Sequence, residues 1–247
     1  MPKRSGLGDN FYLSGVDLSG DVGSLSRVGG GPSTLDVTGI DKSANERIGG
    51  LIDGSIDFSA FFNDATGRAH PTLAPLPTGQ RIASYFRGTA IGNAAASCIA
   101  RQVNYDGDRG ADGALGFSIS AVSDGTGVQW GEQLTAGKRT DVAATNGTAL
   151  DAGAASTFGF AAFLHVFAFT GTSVTIKLQE SSNNGGGDAF ADVVGGGFTV
   201  VAAAPASQRI TATPANLERY VRVVTTGTFT SCVFAVVLVR HQSAVNL

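Results

Sequence analysis

The aspartates Asp106, Asp108 and Asp112 in the run DGDRGADG carry the spacing in this chain that comes nearest to a metal site. A calcium loop of the EF-hand kind needs an oxygen ligand at its fifth position, glycine at its sixth and glutamate at its twelfth. Here those positions are Gly110, Ala111 and Phe117, so the loop fails. GGGD at 185–188 matches a fragment of a calcium-binding β-roll repeat, but it occurs once and such sites form between stacked repeats. His70, His165 and His241 are isolated, with no second histidine or cysteine at zinc spacing. His165 lies in an apolar run and reads as a satisfied core or interface residue. Cys98 and Cys232 each sit inside an apolar strand-like run and read as buried, reduced thiols that behave as small hydrophobes. No G-x-S-x-G elbow, Walker A loop or Rossmann fingerprint occurs, and the glycine clusters lack the following helix that would bind phosphate. The acidic residues form no local pattern that would single out a glycosidase pair. Asn146-Gly147-Thr148 matches a glycosylation sequon, without a secretory start to give it meaning. The chain is therefore expected not to be an enzyme, with no cofactor and no metal.

Composition moves the question from chemistry to architecture. With 43% hydrophobic residues, only 15% charged, 35 glycines and 7 prolines in 247 residues, the chain is short of charge and rich in turn formers. A chain of this length removes about three quarters of its extended surface from water on folding, so a substantial core is available. The formal net charge of −3 leaves no basic field to grip phosphates, which argues against duplex binding. A conduit for DNA is a different demand, because a wall that attracts the backbone slows passage, and a neutral or acidic lumen suits it. The start MPKRSGLGD has no apolar core of a signal peptide, and runs such as 233–239 are too short to span a bilayer, so no membrane is expected and the protein is expected to be made in a cytoplasm and stay there until released.

Along the chain, strand patterns appear at 11–16, 33–38, 51–62, 81–85, 97–105 and 115–123, separated by Gly, Asp, Asn and Pro clusters. Helix-forming periodicity is confined to 41–48 and 63–73. The run 106–113 reads as a hairpin loop between antiparallel strands. Residues 138–156 lose all periodicity and read as a linker or long surface loop. Beyond it, 158–169 is apolar on both faces, as in a strand buried on both sides, and Thr170-Gly171-Thr172 predicts a turn into a second strand over 174–181. A flexible loop at 182–188 precedes shorter strands near 198–201 and 208–213, and a pair over 219–226 and 232–240. About six strands in this last part suffice for an independent β-sandwich. The expected fold is all-β, mainly β with one or two short helices, divided into residues 1–150 and 151–247.

The stretch 35–63, LDVTGIDKSANERIGGLIDGSIDFSAFFN, is the most structured in its signals. Leu35 and Val37 alternate with Asp36 and Thr38. Ser43 and Glu46 make a capping box for a helical turn that Gly49-Gly50 ends. Then Ile52, Gly54, Ile56, Phe58, Ala60 and Phe62 fall on one face of a long strand, with Asp53, Ser55, Asp57 and Ser59 on the other. Phe61 breaks that polar face and suggests a second, intermolecular surface.

The same stretch resembles the early part of the major tail protein, or tail tube protein, of long-tailed bacteriophages. In that family a strand ending in a V-T pair leads through a polar turn to a G-L-x-D-G-S-x-x-F-S strand; here these are Val37, Thr38, Gly50, Leu51, Asp53, Gly54, Ser55, Phe58 and Ser59. The runs 11–26, 110–118 and 130–137 suit the same resemblance, which spans about the first half to two-thirds of the chain. It implies a tail-tube-like β-sandwich with an N-terminal arm over 1–150 and a second β-sandwich over 151–247. It further implies a virion protein of the tail, assembled in the host cytoplasm, that stacks as hexameric rings, or as trimeric rings with pseudo-six-fold symmetry, around a lumen for DNA. Its partners would be copies of itself and other tail proteins such as the tape measure and tail terminator. Segments 1–8, 39–49 and 63–78 would meet neighbouring subunits, with Pro71, Pro75 and Pro77 favouring an extended arm in the last. Within and beside them, Lys3, Arg4, Asp41, Arg47, Phe61, Asp64, Arg68 and His70 are the candidate interface residues. An alternative is a virion decoration or carbohydrate-binding β-sandwich module over 156–247. That region offers Phe residues and Tyr220 but no tryptophan, the one Trp being Trp130.

Overall fold

A computed structural model describes residues 5–213 and 215–243, and its ordered elements are nearly all strands. In chain order they are β1 (Asn10–Leu13), β2 (Val16–Asp17), β3 (Val22–Asp36), β4 (Arg47–Phe61), the short helix α1 (Ala69–Leu73), β5 (Arg81–Phe86), β6 (Ala94–Gln102), β7 (Asp106–Arg109), β8 (Leu115–Ser123) and β9 (Gln129–Gln133). There follow β10 (Arg139–Asp141), β11 (Thr145–Asn146), β12 (Leu150–Asp151), β13 (Phe160–Ser181), β14 (Ala191–Gly197), β15 (Ala206–Ala212) and β16 (Tyr220–Arg240). The strands join in one antiparallel sheet whose main path runs β14-β13-β16-β9-β6-β5-β1-β2. The all-β expectation is met.

Two expected hairpins are instead two very long strands. β13 and β16 pair continuously from Phe160↔Arg240 to Ser181↔Tyr220, with register shifts between Val166 and Ala168 and on both sides of Gly171. Thr170-Gly171-Thr172 is thus the site of a bulge and not of a reversal. The two demand the same local chemistry, a residue free to take positive φ, and Gly171 (φ 156°) lies against Phe229 so closely that a Cβ would fall 2.4 Å from its Cα. These irregularities let the strand pair fold over. The Arg240 guanidinium, at the end of β16, donates to the carbonyls of Glu218 (2.5 Å) and Arg219 (3.3 Å), beside the start of the same strand. A straight strand of that length would hold these ends about 65 Å apart. Phe160, Ala162, Leu164 and Val166 from one half of β13 therefore share a core with Val174, Ile176 and Leu178 from the other.

The stretch 138–156 is not a linker. β10, β11 and β12 pair with β16 at residues 232–234, 224–225 and 220–221. They are too short to show periodicity and are held by polar bonds: Arg139 pairs with buried Asp141, which also accepts from Thr225 Oγ1 at 2.6 Å. The helical turn expected over 41–48 is absent as well. Arg47 and Ile48 already belong to β4, and the Glu46 N–H donates to Thr38 Oγ1 across the hairpin mouth. A single turn cannot meet the cost of helix nucleation when a cross-strand ladder competes for the same residues. The run 106–113 contains a strand, β7, before its turn. Nor is 63–78 wholly an extended arm, since Pro71 sits in the first turn of α1, where a missing N–H is tolerated, and Ala69 and Leu73 are buried in the core.

Besides the core inside the folded strand pair, a second core gathers Phe11, Leu18, Ile56, Phe58, Leu73, Cys98 and Ile119. A third lies between the two, where Tyr12, Ile82, Phe86 and Ala95 meet Ala161, Phe163, Ala235 and Val237. The first half of β13 is accordingly buried on both faces, as its sequence requires. His165 sits at this junction, fully buried. Its Nδ1 accepts from the Gly15 N–H (3.2 Å), which places its proton on Nε2, facing Ser84 Oγ at 2.8 Å.

Candidate assembly surface

β3 and β4 form a ribbon of which only one end is packed. β4 pairs with β8 from Ser55 to Phe61, and beyond Ser55 it pairs with β3 alone, the 127–128 loop touching the ribbon at Ile52 and Gly54. The ladder continues for about 25 Å past that point. A two-stranded ribbon on its own is marginal in water, so its outward stretch needs another source of stability.

The side chains indicate what that source is. Four apolar cross-strand pairs run in a line, Leu25↔Phe58, Val28↔Ile56, Pro32↔Ile52 and Leu35↔Ile48. Phe58 and Ile56 are buried, but Ile52 is 59% exposed, Leu35 53% and Ile48 51%. On the opposite face Leu51 is 86% exposed, and Ile40 stands free at the tip. The period of two read from the sequence holds, but the molecule's own core covers only the inner half of the apolar stripe. Covering a half-exposed aliphatic side chain of this size contributes about 1 kcal/mol, so a partner seated on the outer pairs gains several. Alongside the stripe runs a free edge: β3 pairs with no strand but β4 among the described residues, leaving the outward backbone groups of a fifteen-residue strand without a ladder.

The candidate interface residues fall into two groups at opposite ends of this ribbon. Asp41 and Arg47 are exposed at the tip, with Lys42 between Asp41 (3.9 Å) and Glu46 (3.5 Å). Phe61, Asp64, Arg68 and His70 are at the base, about 45 Å away along β4. Phe61 is 58% exposed and its ring lies over Gly23, where a Cβ would meet it at 2.9 Å. Asp64 and Arg68 are exposed, whereas His70 is committed within the chain, its ring tilted at 46° against Phe62 (centroids 4.7 Å apart) with Nδ1 3.1 Å from the Tyr105 hydroxyl. Asp21, which sequence reasoning passed over, ties this base together by accepting from the Asn63 amide and the Ala69 N–H. Lys3 and Arg4 lie outside the described residues. The outer pairs Leu35↔Ile48 and Pro32↔Ile52 were missed because pairing partners are not written in a linear pattern.

Neither thiol is poised for chemistry: burial pushes Cys98 up to about 12 and Cys232 up to about 11. Among the described residues no group of three His, Cys, Asp or Glu side chains comes together in a way that could hold a metal ion.

No protein-family model matches this chain, and no curated protein does. Among solved structures it is similar to the Dit protein (gp 19.1) of SPP1, described as a paradigm of the hub adsorption apparatus in phages that infect Gram-positive bacteria. The two are 12% identical with a TM-score of 0.35, over 93% of this chain and 98% of that one.

Proposed function

We propose that this protein is a structural subunit of a bacteriophage tail, and within the tail a tube subunit that polymerises as stacked rings around a channel for DNA. The observation that carries the reading is the ribbon: an apolar stripe that leaves the core and continues into solvent beside a free strand edge is completed by another copy of the chain. The resemblance of residues 35–63 to major tail proteins supports it, because those residues form most of this ribbon. In the assembly, the β3 edge of one subunit receives a strand from its neighbour, extending the sheet around a ring and removing an edge that would otherwise invite aggregation. The ribbon tip, with Asp41 and Arg47, reaches the next ring. The low charge of the chain suits a lumen that DNA crosses without being held.

Sedimentation of the purified protein over a range of concentrations tests this. The wild type is expected to form large species as concentration rises. The double substitution Leu35→Asp and Ile48→Asp, which opposes two carboxylates on the exposed stripe, is expected to hold it as a monomer while its circular dichroism spectrum is unchanged. If the double variant assembles as readily as the wild type, the stripe is not the contact.

A further inference from the structure

The objection to sugar recognition drawn from the sequence, that residues 156–247 contain no tryptophan, is removed by the sheet topology. β9 brings Trp130 beside the last strand, since Glu132 pairs with Leu238 and Gln133 with Val237. At the open end of the folded strand pair lies a groove of about 340 Å³ lined by Ala94, Trp130, Glu132, Ala152, Arg240 and Gln242. Trp130 is 51% exposed there. Its ring is held edge-on by Tyr85, with centroids 6.3 Å apart and planes at 85°, the two rings flanking Ala96 in one cross-strand row. The aromatic face is thus fixed in place and not taken up by the core.

The polar groups around it are of mixed type. Glu132, two residues along the same face of β9, is only partly exposed and its carboxylate has no hydrogen-bond or ion-pair partner among the described residues. Burial raises its pKa, with the Arg240 charge acting the other way. Arg240 itself is held by the backbone carbonyls of Ala154, Glu218 and Arg219, so it forms a fixed wall. Gln242 is exposed and offers both a donor and an acceptor. A cation on the tryptophan face would meet Arg240, and an anion would meet Glu132. A neutral ring with an apolar face and hydroxyls at its rim satisfies all three.

We propose that this groove binds a neutral sugar unit of a polysaccharide, with its C–H face stacked on Trp130 and its hydroxyls bonded to Glu132 and Gln242. The site is independent of the assembly reading, because none of its residues belongs to the ribbon.

Trp130 is the one tryptophan in the chain, so its fluorescence reports on this groove alone. The test titrates the protein with gluco-, manno- and chito-oligosaccharides at millimolar concentration, following tryptophan emission and its quenching by acrylamide. At least one series is expected to give a saturable blue shift and protection from the quencher. With that sugar, Glu132→Ala and Gln242→Ala, which leave the ring in place, should each weaken binding about tenfold or more by removing a hydrogen bond. Calorimetry should show no heat for Trp130→Ala. Absence of a saturable response across the panel would overturn the proposal, as would affinity that survives both Glu132→Ala and Trp130→Ala. Gln242 is exposed and lies beyond the end of β16, so its variant reads out binding even if a substitution on β9 disturbs folding.

Discussion

His165 is the residue on which the two halves of the molecule are pinned. Burial without a counter-charge pushes its pKa down to about 3, and protonating Nδ1 would set a new N–H against the Gly15 N–H that now donates to it. The unfolded chain binds that proton below about pH 6.5, whereas the folded chain holds it off until about pH 3. Between those values unfolding takes up a proton, so His165 makes stability fall by up to about 1.4 kcal/mol for each pH unit of acidification, and its contribution is complete above pH 6.5. Denaturant midpoints measured across that range should show this slope, and His165→Phe should flatten it while costing about 2 kcal/mol at neutral pH by leaving the Gly15 N–H unpaired and the Ser84 hydroxyl with Ser97 Oγ (2.7 Å) as its one remaining partner. A slope that the variant leaves unchanged would assign the acid sensitivity to other groups. Gly15 makes the same junction from the other side. It completes a two-residue turn with φ of 79°, and a Cβ there would fall 2.6 Å from the carbonyl oxygens of Val166 and Ala206. Gly15→Ala is therefore expected to lower stability by about 3 kcal/mol, seen as a drop in thermal midpoint, and a drop no larger than that of an exposed surface substitution would show that the two halves do not press together here.

At the scale of elements, what was legible and what was not follow from one fact: local signals specify conformation but not partners. The alternation in 51–62 gave β4 its faces, and the apolar run at 158–169 its burial on both sides, because each depends only on a residue and its near neighbours. Gly171 announced an irregularity, yet bulge and turn look alike locally, so a strand that bends was read as two that reverse. The capping box at Ser43 and Glu46 was genuine local chemistry overridden by the β3–β4 ladder. That Trp130 lies beside β16 as well as β6 was not legible, because nothing near it in the chain names β16 as a neighbour of β9. The ribbon carries the prediction that belongs here. Replacing residues 33–51 by a two-residue Asn-Gly turn, which joins the paired residues Pro32 and Ile52, should leave the rest of the molecule folded, since no buried core side chain lies within that span, but should abolish concentration-dependent assembly. Loss of folding on that deletion, detected by circular dichroism, would mean that the ribbon stabilises its own chain and not a neighbour.

At the scale of the whole molecule, the two main cores are not separable by a cut at residue 150. β10 and β11 complete the far strand pair from before that point, the cut itself falls inside β12, β9 bridges β6 and β16, and a third core fills the space between. A single cooperative unfolding transition is expected by calorimetry, and two well-resolved transitions would contradict this coupling. Among the described residues, the free edge of β3 and the exposed pairs Pro32↔Ile52 and Leu35↔Ile48 stand together on one ribbon, which is the condition for a subunit that is finished by its neighbours. Electron-microscope class averages of the concentrated protein, viewed along the assembly axis, test that most directly. Rings with a central hole are expected, bounded by six units or by three that each supply two, and none in the Leu35→Asp, Ile48→Asp protein. A particle that stays single at every concentration, or a closed oligomer without a hole, would contradict it.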